Sequence, residues 1–273
     1  MTFVEWLRSV SKEQRPLVLG IDPHPGILEA WGESDTPAGL DAWCGRVTDQ
    51  ALSAGIQCVK VQVAFFERQG VRGFQSLHTI LGTLREQGVW VVGDAKRGDI
   101  GSTMKGYATA WLSSGSDFEV DALTVSPYLG FHSLDPVLEL SVQENKGVFV
   151  LSATSNPEAW SSQGARLPDG RSTAALILEE AQTWSSEHAY GGVGVVIGAT
   201  VDFEALGLQD HSAHDIPVLA PGYGTQGADL RDVGHHFASF HRVLPVVARS
   251  VLSAGPDGFA GAWALAFERL ASA

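Results

Sequence analysis

Short apolar runs alternate with amphipathic stretches along the whole chain. The runs are rich in valine, isoleucine and leucine, which favours buried strands. The stretches between them repeat apolar residues at helical spacing and often end at glycine. This alternation predicts parallel strands joined by helices. The predicted strands are 17–21, 58–63, 89–96, 122–125, 148–151, 193–200, 217–220 and 244–248.

Helices are predicted between these strands and at both ends of the chain. The first residues form an amphipathic helix, because Phe3, Val4, Leu7 and Val10 recur at helical spacing, and Pro16 ends it. A polar loop at 161–172 is rich in Gly, Pro, Arg and Ser and is predicted to be mobile. The other predicted helices are 38–54, 73–87, 107–112, 133–144 and 173–189, a short one before 217, and an alanine-rich one at the C-terminus.

Strands alternating with helices, without a linker or a break in composition, indicate one domain over residues 1–273. The pattern predicts an α/β fold, a single (β/α)8 TIM barrel with an extra N-terminal helix. A doubly wound open sheet is the alternative. No GxGxxG motif follows the first strand, and polar residues follow nearly every strand, which favours the barrel.

Composition narrows the possible partners and location. The formal net charge of -13 argues against binding to nucleic acid or to anionic membranes. No apolar run approaches the roughly 20 residues of a membrane span, and the charged N-terminus is untypical of a signal peptide. The cysteines, Cys44 and Cys58, form no CxxC motif. We therefore expect a soluble, cytoplasmic protein.

Charged side chains gather around the end of the third predicted strand. Asp94 and Lys96 are two positions apart, so they share a face of the strand, and Asp99 follows in the turn. Lys60 belongs to the neighbouring strand. If these groups converge, their alternating signs keep every member ionised. The array could be a plain ion-pair cluster, or it could place an ammonium where negative charge develops on a substrate.

Lys96 has two possible roles in such a site. A Schiff-base lysine must be a neutral amine, whereas the flanking carboxylates favour the ammonium form. A permanently charged proton donor therefore fits the pattern better than an imine former.

The loops after the last two strands carry groups that suit a phosphate. Gly222 and Gly224 expose backbone N–H groups, Gln226 offers an amide, and Arg249 leaves the final strand. The alternative is a glycine-rich turn beside a surface arginine. The combination with the charged array favours the phosphate site. Metal ligands are not clustered in the sequence, so no metal site is predicted.

The segment 94–103, DAKRGDIGST, resembles the DxKxxDIGxT signature of orotidine 5′-phosphate decarboxylases, in the form of their type 2 bacterial subfamily. The similarity extends in family order over nearly the whole chain. The other matching blocks are GIDPHP at 20–25, VK at 59–60, AFFE at 64–67, SPYLG at 126–130, TSNP at 154–157, GAT at 198–200, APGYGTQG at 220–227 and RS at 249–250.

The resemblance implies decarboxylation of orotidine 5′-monophosphate to UMP without a cofactor or metal, in a homodimer that shares its active sites. Lys96 would protonate C6, Asp94 would press against the departing carboxylate, and Lys60 would bridge Asp94 and the ribose. Asp22 would hold the ribose from its own subunit, and Asp99 and Thr103 would reach it from the partner. The pyrimidine would be bound by Ser126, Thr154 and Ser155. The phosphate would be bound by Gln226 and Arg249.

One position departs from the family pattern. Val61 stands where we expect a proline between Lys60 and Gln62, and proline would stiffen the placement of Lys60. Two other functions remain open: a related sugar-phosphate decarboxylase, which would need a Mg²⁺ ligand set, and a catalytically silent nucleotide-binding barrel. The TSNP block disfavours the first, and the presence of Asp94 and Lys96 disfavours the second.

Overall fold

The strands form a closed parallel barrel in which each strand pairs with its neighbours in chain order. The computed structural model describes residues 1–209 and 214–273. The first strand closes the barrel by pairing with the last, Val18 lying opposite Val246. The strands are β1 (Val18–Ile21), β2 (Cys58–Gln62), β3 (Trp90–Arg97), β4 (Ala122–Val125), β5 (Gly147–Ala153), β6 (Val193–Ile197), β7 (His214–Pro221) and β8 (Phe240–Val247).

Helices cover the outside of the barrel and one of its ends. They are α1 (Phe3–Ser9), α2 (Pro25–Ala30), α3 (Pro37–Ser53), α4 (Ala64–Glu67), α5 (Gly70–Glu86), α6 (Gly101–Leu112), α7 (Asp135–Glu144), α8 (Trp160–Gln163), α9 (Thr173–Glu187), α10 (Phe203–Leu206), α11 (Val233–His236), α12 (Arg249–Leu252) and α13 (Gly255–Ala271). The predicted single (β/α)8 barrel with an extra N-terminal helix is therefore confirmed.

Helix α1 seals the N-terminal end of the barrel. Phe3, Trp6 and Leu7 are buried in one cluster with apolar side chains of the strands, including Phe149. Phe3 lies so close to Gly147 that a Cβ atom there would come within 2.6 Å of its ring. This end of the barrel interior is therefore closed by apolar packing, and the other end is the place to look for a polar cavity.

The end of the predicted N-terminal helix is wrong. The N-terminal helix was expected to run to Pro16, but it ends at Ser9, whose hydroxyl donates to the Trp6 carbonyl oxygen. Val10 is buried even though it lies beyond the end of the helix. The third strand extends to Arg97, so Asp94 and Lys96 lie at its C-terminal end, as predicted.

Other differences concern the connecting segments. Helix α2, which was not among the predicted helices, begins shortly after β1 at Pro25, and proline is favoured in the first turn of a helix. The sixth helix begins at Gly101, earlier than the expected residue 107. The segment 161–172 contains the end of α8 and a bridge between Arg166 and Ser172. Its mobility stays a prediction.

Two further properties concern the state of the cysteines and the possibility of a membrane-spanning helix. Cys44 and Cys58 are both buried and free, and burial raises the pKa of each thiol. Within residues 1–209 and 214–273, no helix is both long enough and apolar enough to cross a membrane.

We predict that Phe3→Ala destabilises the barrel by about 3 kcal/mol, because it empties a packed site at the sealed end. The free energy of unfolding should be measured by urea denaturation. The matched control is Phe267→Ala on α13, where the side chain is exposed, and there we expect a loss below about 1 kcal/mol. Equal effects of the two substitutions would contradict the sealing role of α1.

Candidate active site

A cavity of about 210 Å³ opens at the C-terminal end of the barrel. This is the end where residues after the strands converge and where barrel enzymes carry their chemistry. Most of the site residues expected from the sequence line this single cavity. They are Asp22, Lys60, Asp94, Lys96, Thr154, Ser155, Gln226 and Arg249.

The carboxylate of Asp94 is the centre of the charged array. Lys60 Nζ lies 2.7 Å from Asp94 Oδ2, and Lys96 Nζ lies 2.6 Å from Asp94 Oδ1. Lys60 also lies 3.8 Å from Asp22 Oδ1. Lys60 and Asp94 are buried, whereas the Lys96 side chain is 44% exposed at the cavity. The charges of Lys60, Asp94 and Lys96 therefore alternate, with one ammonium held inside and one presented outward, whereas Asp99, the fourth expected member, does not line the cavity.

The array keeps its members ionised. Burial alone would raise the pKa of the Asp94 carboxyl, but Lys60 and Lys96 hold that pKa well below its usual range. Burial alone would lower the pKa of Lys60, and Asp94 with Asp22 raises it above its ordinary value instead. Both groups are therefore charged at neutral pH, as an electrostatic site requires.

Two neutral side chains, Thr124 and Gln62, also donate hydrogen bonds to Asp94. Neither residue was assigned a role from the sequence. The Thr124 hydroxyl donates to Asp94 Oδ1 at 2.9 Å. The Gln62 amide, with its nitrogen turned towards the carboxylate, donates to Asp94 Oδ2 at 3.0 Å and to the Asp94 carbonyl oxygen at 2.9 Å. Gln62 follows Lys60 by two positions on β2, so strand periodicity was the signal that could have identified it.

The hydrogen-bonding capacity of the Asp22 carboxylate is only partly used within the chain. Its Oδ1 atom is buried and accepts no hydrogen bond from any residue in the described part of the chain. Its nearest cation, Lys60 Nζ, is 3.8 Å away. A buried carboxylate oxygen without a donor is costly, so this atom is suited to a hydroxyl donor entering the cavity.

The segment after β5 contributes polar side chains to the lining of the same cavity. Ser155 donates to Gln226 Oε1 at 3.1 Å, which links the loop after β5 to the loop after β7. The Thr154 backbone N–H donates to Gln163 Oε1 at 2.7 Å, and Gln163 Nε2 donates to Thr154 Oγ1 at 2.9 Å. Gln163 lies on α8, and its role was not predicted because nothing in the local pattern ties it to β5.

The loops after β7 and β8 form the remaining wall. Gly222 and Gly224 have positive φ angles of 122° and 86°, a conformation that glycine adopts without strain. A Cβ atom at Gly224 would lie 2.6 Å from the Ser250 side chain, so glycine is needed there for close packing as well. Arg249 begins α12 and is exposed. No acceptor among the described residues engages its guanidinium, which is therefore available to a ligand.

Three expected site residues lie outside this cavity. Asp99 is half-buried and accepts a hydrogen bond from the Ile100 backbone N–H at 2.7 Å. Thr103 is exposed on α6. Ser126 is held by its backbone, its N–H donating to the Arg97 carbonyl oxygen at 2.8 Å. The chain alone does not bring these side chains to the array.

No metal centre is found among residues 1–209 and 214–273, because no three His, Cys, Asp or Glu side chains there are grouped to hold an ion.

Comparisons with known proteins agree with this geometry. The model of the orotidine 5′-phosphate decarboxylase / HUMPS family matches residues 16–262. The chain is 47% identical to an orotidine 5′-phosphate decarboxylase of Corynebacterium efficiens over 262 residues, covering 94% of this chain and 91% of that protein. It is also 47% identical to an orotidine 5′-phosphate decarboxylase of Salinispora tropica over 253 residues, covering 92% and 90%.

Solved structures show the same relationship. The crystal structure of a putative orotidine 5′-phosphate decarboxylase from Streptomyces avermitilis has a TM-score of 0.88 and 40% identity, covering 98% of this chain and 94% of that one. The match of fold, motif order and sequence extends over nearly the whole chain. The chain therefore belongs to the orotidine 5′-phosphate decarboxylase / HUMPS family.

Proposed function

We propose that this chain, as one domain over 1–273, decarboxylates orotidine 5′-monophosphate to UMP and CO₂, the closing step of de novo pyrimidine synthesis. The observation that carries the proposal is the buried Asp94 carboxylate between Lys60 and Lys96, in a cavity that also holds the unengaged Arg249. The names of its relatives from Corynebacterium and Salinispora support the same reaction.

The proposed chemistry uses the ammonium group of Lys96. Cleavage of the C6–carboxylate bond releases CO₂ and leaves its electron pair on C6. The Lys96 ammonium stabilises that developing charge and then gives a proton to C6, which yields UMP. Lys96 recovers a proton from water. Asp94 stands beside the substrate carboxylate, and because its pKa is held low it stays anionic there.

The ribose and the pyrimidine are bound by the walls of the cavity. Asp22 Oδ1, buried without a donor among the described residues, accepts from a ribose hydroxyl, and Lys60 bridges Asp94 and the ribose. Thr154 and Ser155 read the pyrimidine edge from the loop after β5. Ser126 lies outside the cavity in this chain, which leaves it the weakest of the three pyrimidine assignments.

The phosphate binds between the last two loops. Arg249 supplies a charged donor, and Gln226 supplies an amide that Ser155 already contacts. This placement links phosphate binding to the pyrimidine wall through a direct hydrogen bond. Binding energy gained at the phosphate can therefore support the geometry at the reacting carbon.

We further propose a homodimer in which Asp99 and Thr103 complete the partner's site at the ribose. Both residues lie outside the cavity of their own subunit. They nevertheless come soon after β3, the strand that carries Asp94 and Lys96. Exposed apolar side chains occur beside Asp99 in the chain and in the loop after β4, namely Ile100 at 61%, Tyr128 at 89% and Leu129 at 54% exposure. Large apolar side chains left exposed are consistent with burial in an interface.

A cytoplasmic location is part of the proposal, and the two free buried cysteines support it.

We predict that purified wild-type protein consumes orotidine 5′-monophosphate with excess EDTA present, measured by loss of the substrate's absorbance. Lys96→Ala should lower kcat by more than about 10³-fold, because the developing charge loses its ammonium partner. UMP binding should persist, since UMP carries no carboxylate at C6, and it shows that the variant is folded. Near-normal turnover by the variant would contradict the role of Lys96.

The same assay separates the alternative functions. Turnover of a sugar phosphate that requires Mg²⁺, with none of the nucleotide, would place the chain in the HUMPS branch of the family. UMP binding without turnover of either substrate would support a silent nucleotide-binding barrel.

We predict that Arg249→Ala raises KM for the nucleotide roughly 10- to 100-fold, the effect of losing a charged hydrogen bond to phosphate. Turnover of the phosphate-free nucleoside orotidine should be unchanged. Arg72→Ala, an exposed arginine on α5, is the matched control. An equal loss with orotidine would show that Arg249 does not act through the phosphate.

We predict that mixing two inactive variants restores activity if the sites are shared. In a dimer of Lys96→Ala with Asp99→Ala, one site combines an intact Lys96 with the partner subunit's Asp99. Random exchange of equal amounts should then restore roughly a quarter of all sites, as two-fold symmetry requires. Recovery should follow subunit exchange, monitored by native mass spectrometry. Heterodimers without activity would contradict a shared site.

A further inference from the structure

Thr124 occupies a position beneath the charged array that packing alone does not explain. Its neighbours on β4 are all apolar, and Thr124 is 1% exposed. A valine has nearly the same shape and would fill the same space. The buried hydroxyl group therefore needs hydrogen-bond partners, since burying it without partners would be unfavourable.

The hydroxyl bridges Asp94 and Lys96 of β3. Thr124 Oγ1 donates to Asp94 Oδ1 at 2.9 Å and accepts from the Lys96 backbone N–H at 3.0 Å. The direction of both bonds is fixed. An ionised carboxylate can only accept, so the single hydroxyl proton points to Asp94 and a lone pair faces Lys96.

The backbone at Lys96 needs this support. Lys96 has a φ angle of 48°, in the left-handed region that non-glycine residues avoid at a cost of order 1 kcal/mol. The pairing of β3 with β4 is also irregular between Gly93 and Arg97. Within that irregular stretch, the Lys96 N–H bonds to the Thr124 side chain instead of to a carbonyl oxygen of the neighbouring strand.

We propose that Thr124 is a positioning residue that locks the Lys96 backbone and the Asp94 carboxylate into one arrangement. The inference rests on the proposed function, because the arrangement matters there for placing the Lys96 ammonium at C6. Thr124 does not line the cavity. It therefore acts through Asp94 and Lys96, and its side-chain hydrogen bonds go to these two residues and not to Lys60, Asp22 or Arg249.

The test compares Thr124→Val, which keeps the shape, with Thr124→Ser, which keeps the hydroxyl. Thr124→Val should lower kcat roughly 10- to 100-fold, the size expected for losing hydrogen bonds to a charged group. KM and the Kd of UMP should stay within about threefold, since the binding walls are intact. Thr124→Ser should restore kcat to within about threefold of wild type.

Ser152→Ala on β5 is the matched control, because it also removes a buried hydroxyl that is hydrogen-bonded, here to the Ala174 carbonyl oxygen at 2.9 Å. It should lower the melting temperature and leave kcat unchanged. Unchanged kcat in Thr124→Val would overturn the proposal. An equal loss of kcat and UMP affinity would also overturn it, because that pattern indicates general disruption of the site.

Crystal structures of the two Thr124 variants provide a readout that does not need turnover. In Thr124→Val we expect Lys96 to leave the left-handed conformation or its Nζ to separate from Asp94, and in Thr124→Ser we expect both to be retained. An unmoved Lys96 in the valine variant would refute the positioning role whatever the activity. Wild-type protein that fails to turn over the nucleotide would refute the proposed function separately.

Discussion

The arrangement of side chains at the C-terminal end of the barrel depends on the need to satisfy the buried carboxylate of Asp94. Placing an unpaired carboxylate in such a position costs several kcal/mol, and the chain offsets this with ammonium groups on both sides. Lys60 and Gln62 come from β2, Lys96 comes from β3 itself, and Thr124 comes from β4. Each oxygen of the carboxylate therefore accepts from one cation and one neutral donor.

Satisfying that carboxylate requires a departure from regular strand geometry. In an undistorted strand, side chains two positions apart project in parallel. The left-handed turn at Lys96 lets its side chain fold back on Asp94, and the register of β3 against β4 shifts at the same place. Just beyond, Gly98 lies so close to the Ser126 carbonyl oxygen that a Cβ atom would come within 2.4 Å of it. The irregular segment is thus held on the β4 side by specific contacts.

The fold was predictable from the sequence because the barrel repeats one simple pattern. Apolar strands and amphipathic helices alternate, and polar residues at the strand ends indicated where the cavity would lie. The details that were predicted wrongly or missed depend on contacts between distant segments. The early end of α1 reflects packing against the barrel, and the roles of Thr124 and Gln163 reflect partners on other elements. Local periodicity contains no information about such partners.

In the reaction that we propose, the substrate phosphate and the substrate carboxylate contact different groups of residues in the cavity. A substrate carboxylate placed beside Asp94 is repelled by it, and Asp94 cannot escape by taking a proton because Lys60 and Lys96 hold its pKa low. The attraction that overcomes this repulsion must therefore come from elsewhere on the substrate. In the proposed binding mode Arg249 and Gln226 supply it, and the Ser155–Gln226 hydrogen bond joins them to the residues proposed to bind the pyrimidine. Under this proposal, release of CO₂ would remove the repelled group while the phosphate contacts remain. The destabilisation would then act on the substrate and be absent from the product, which is the difference a decarboxylase needs.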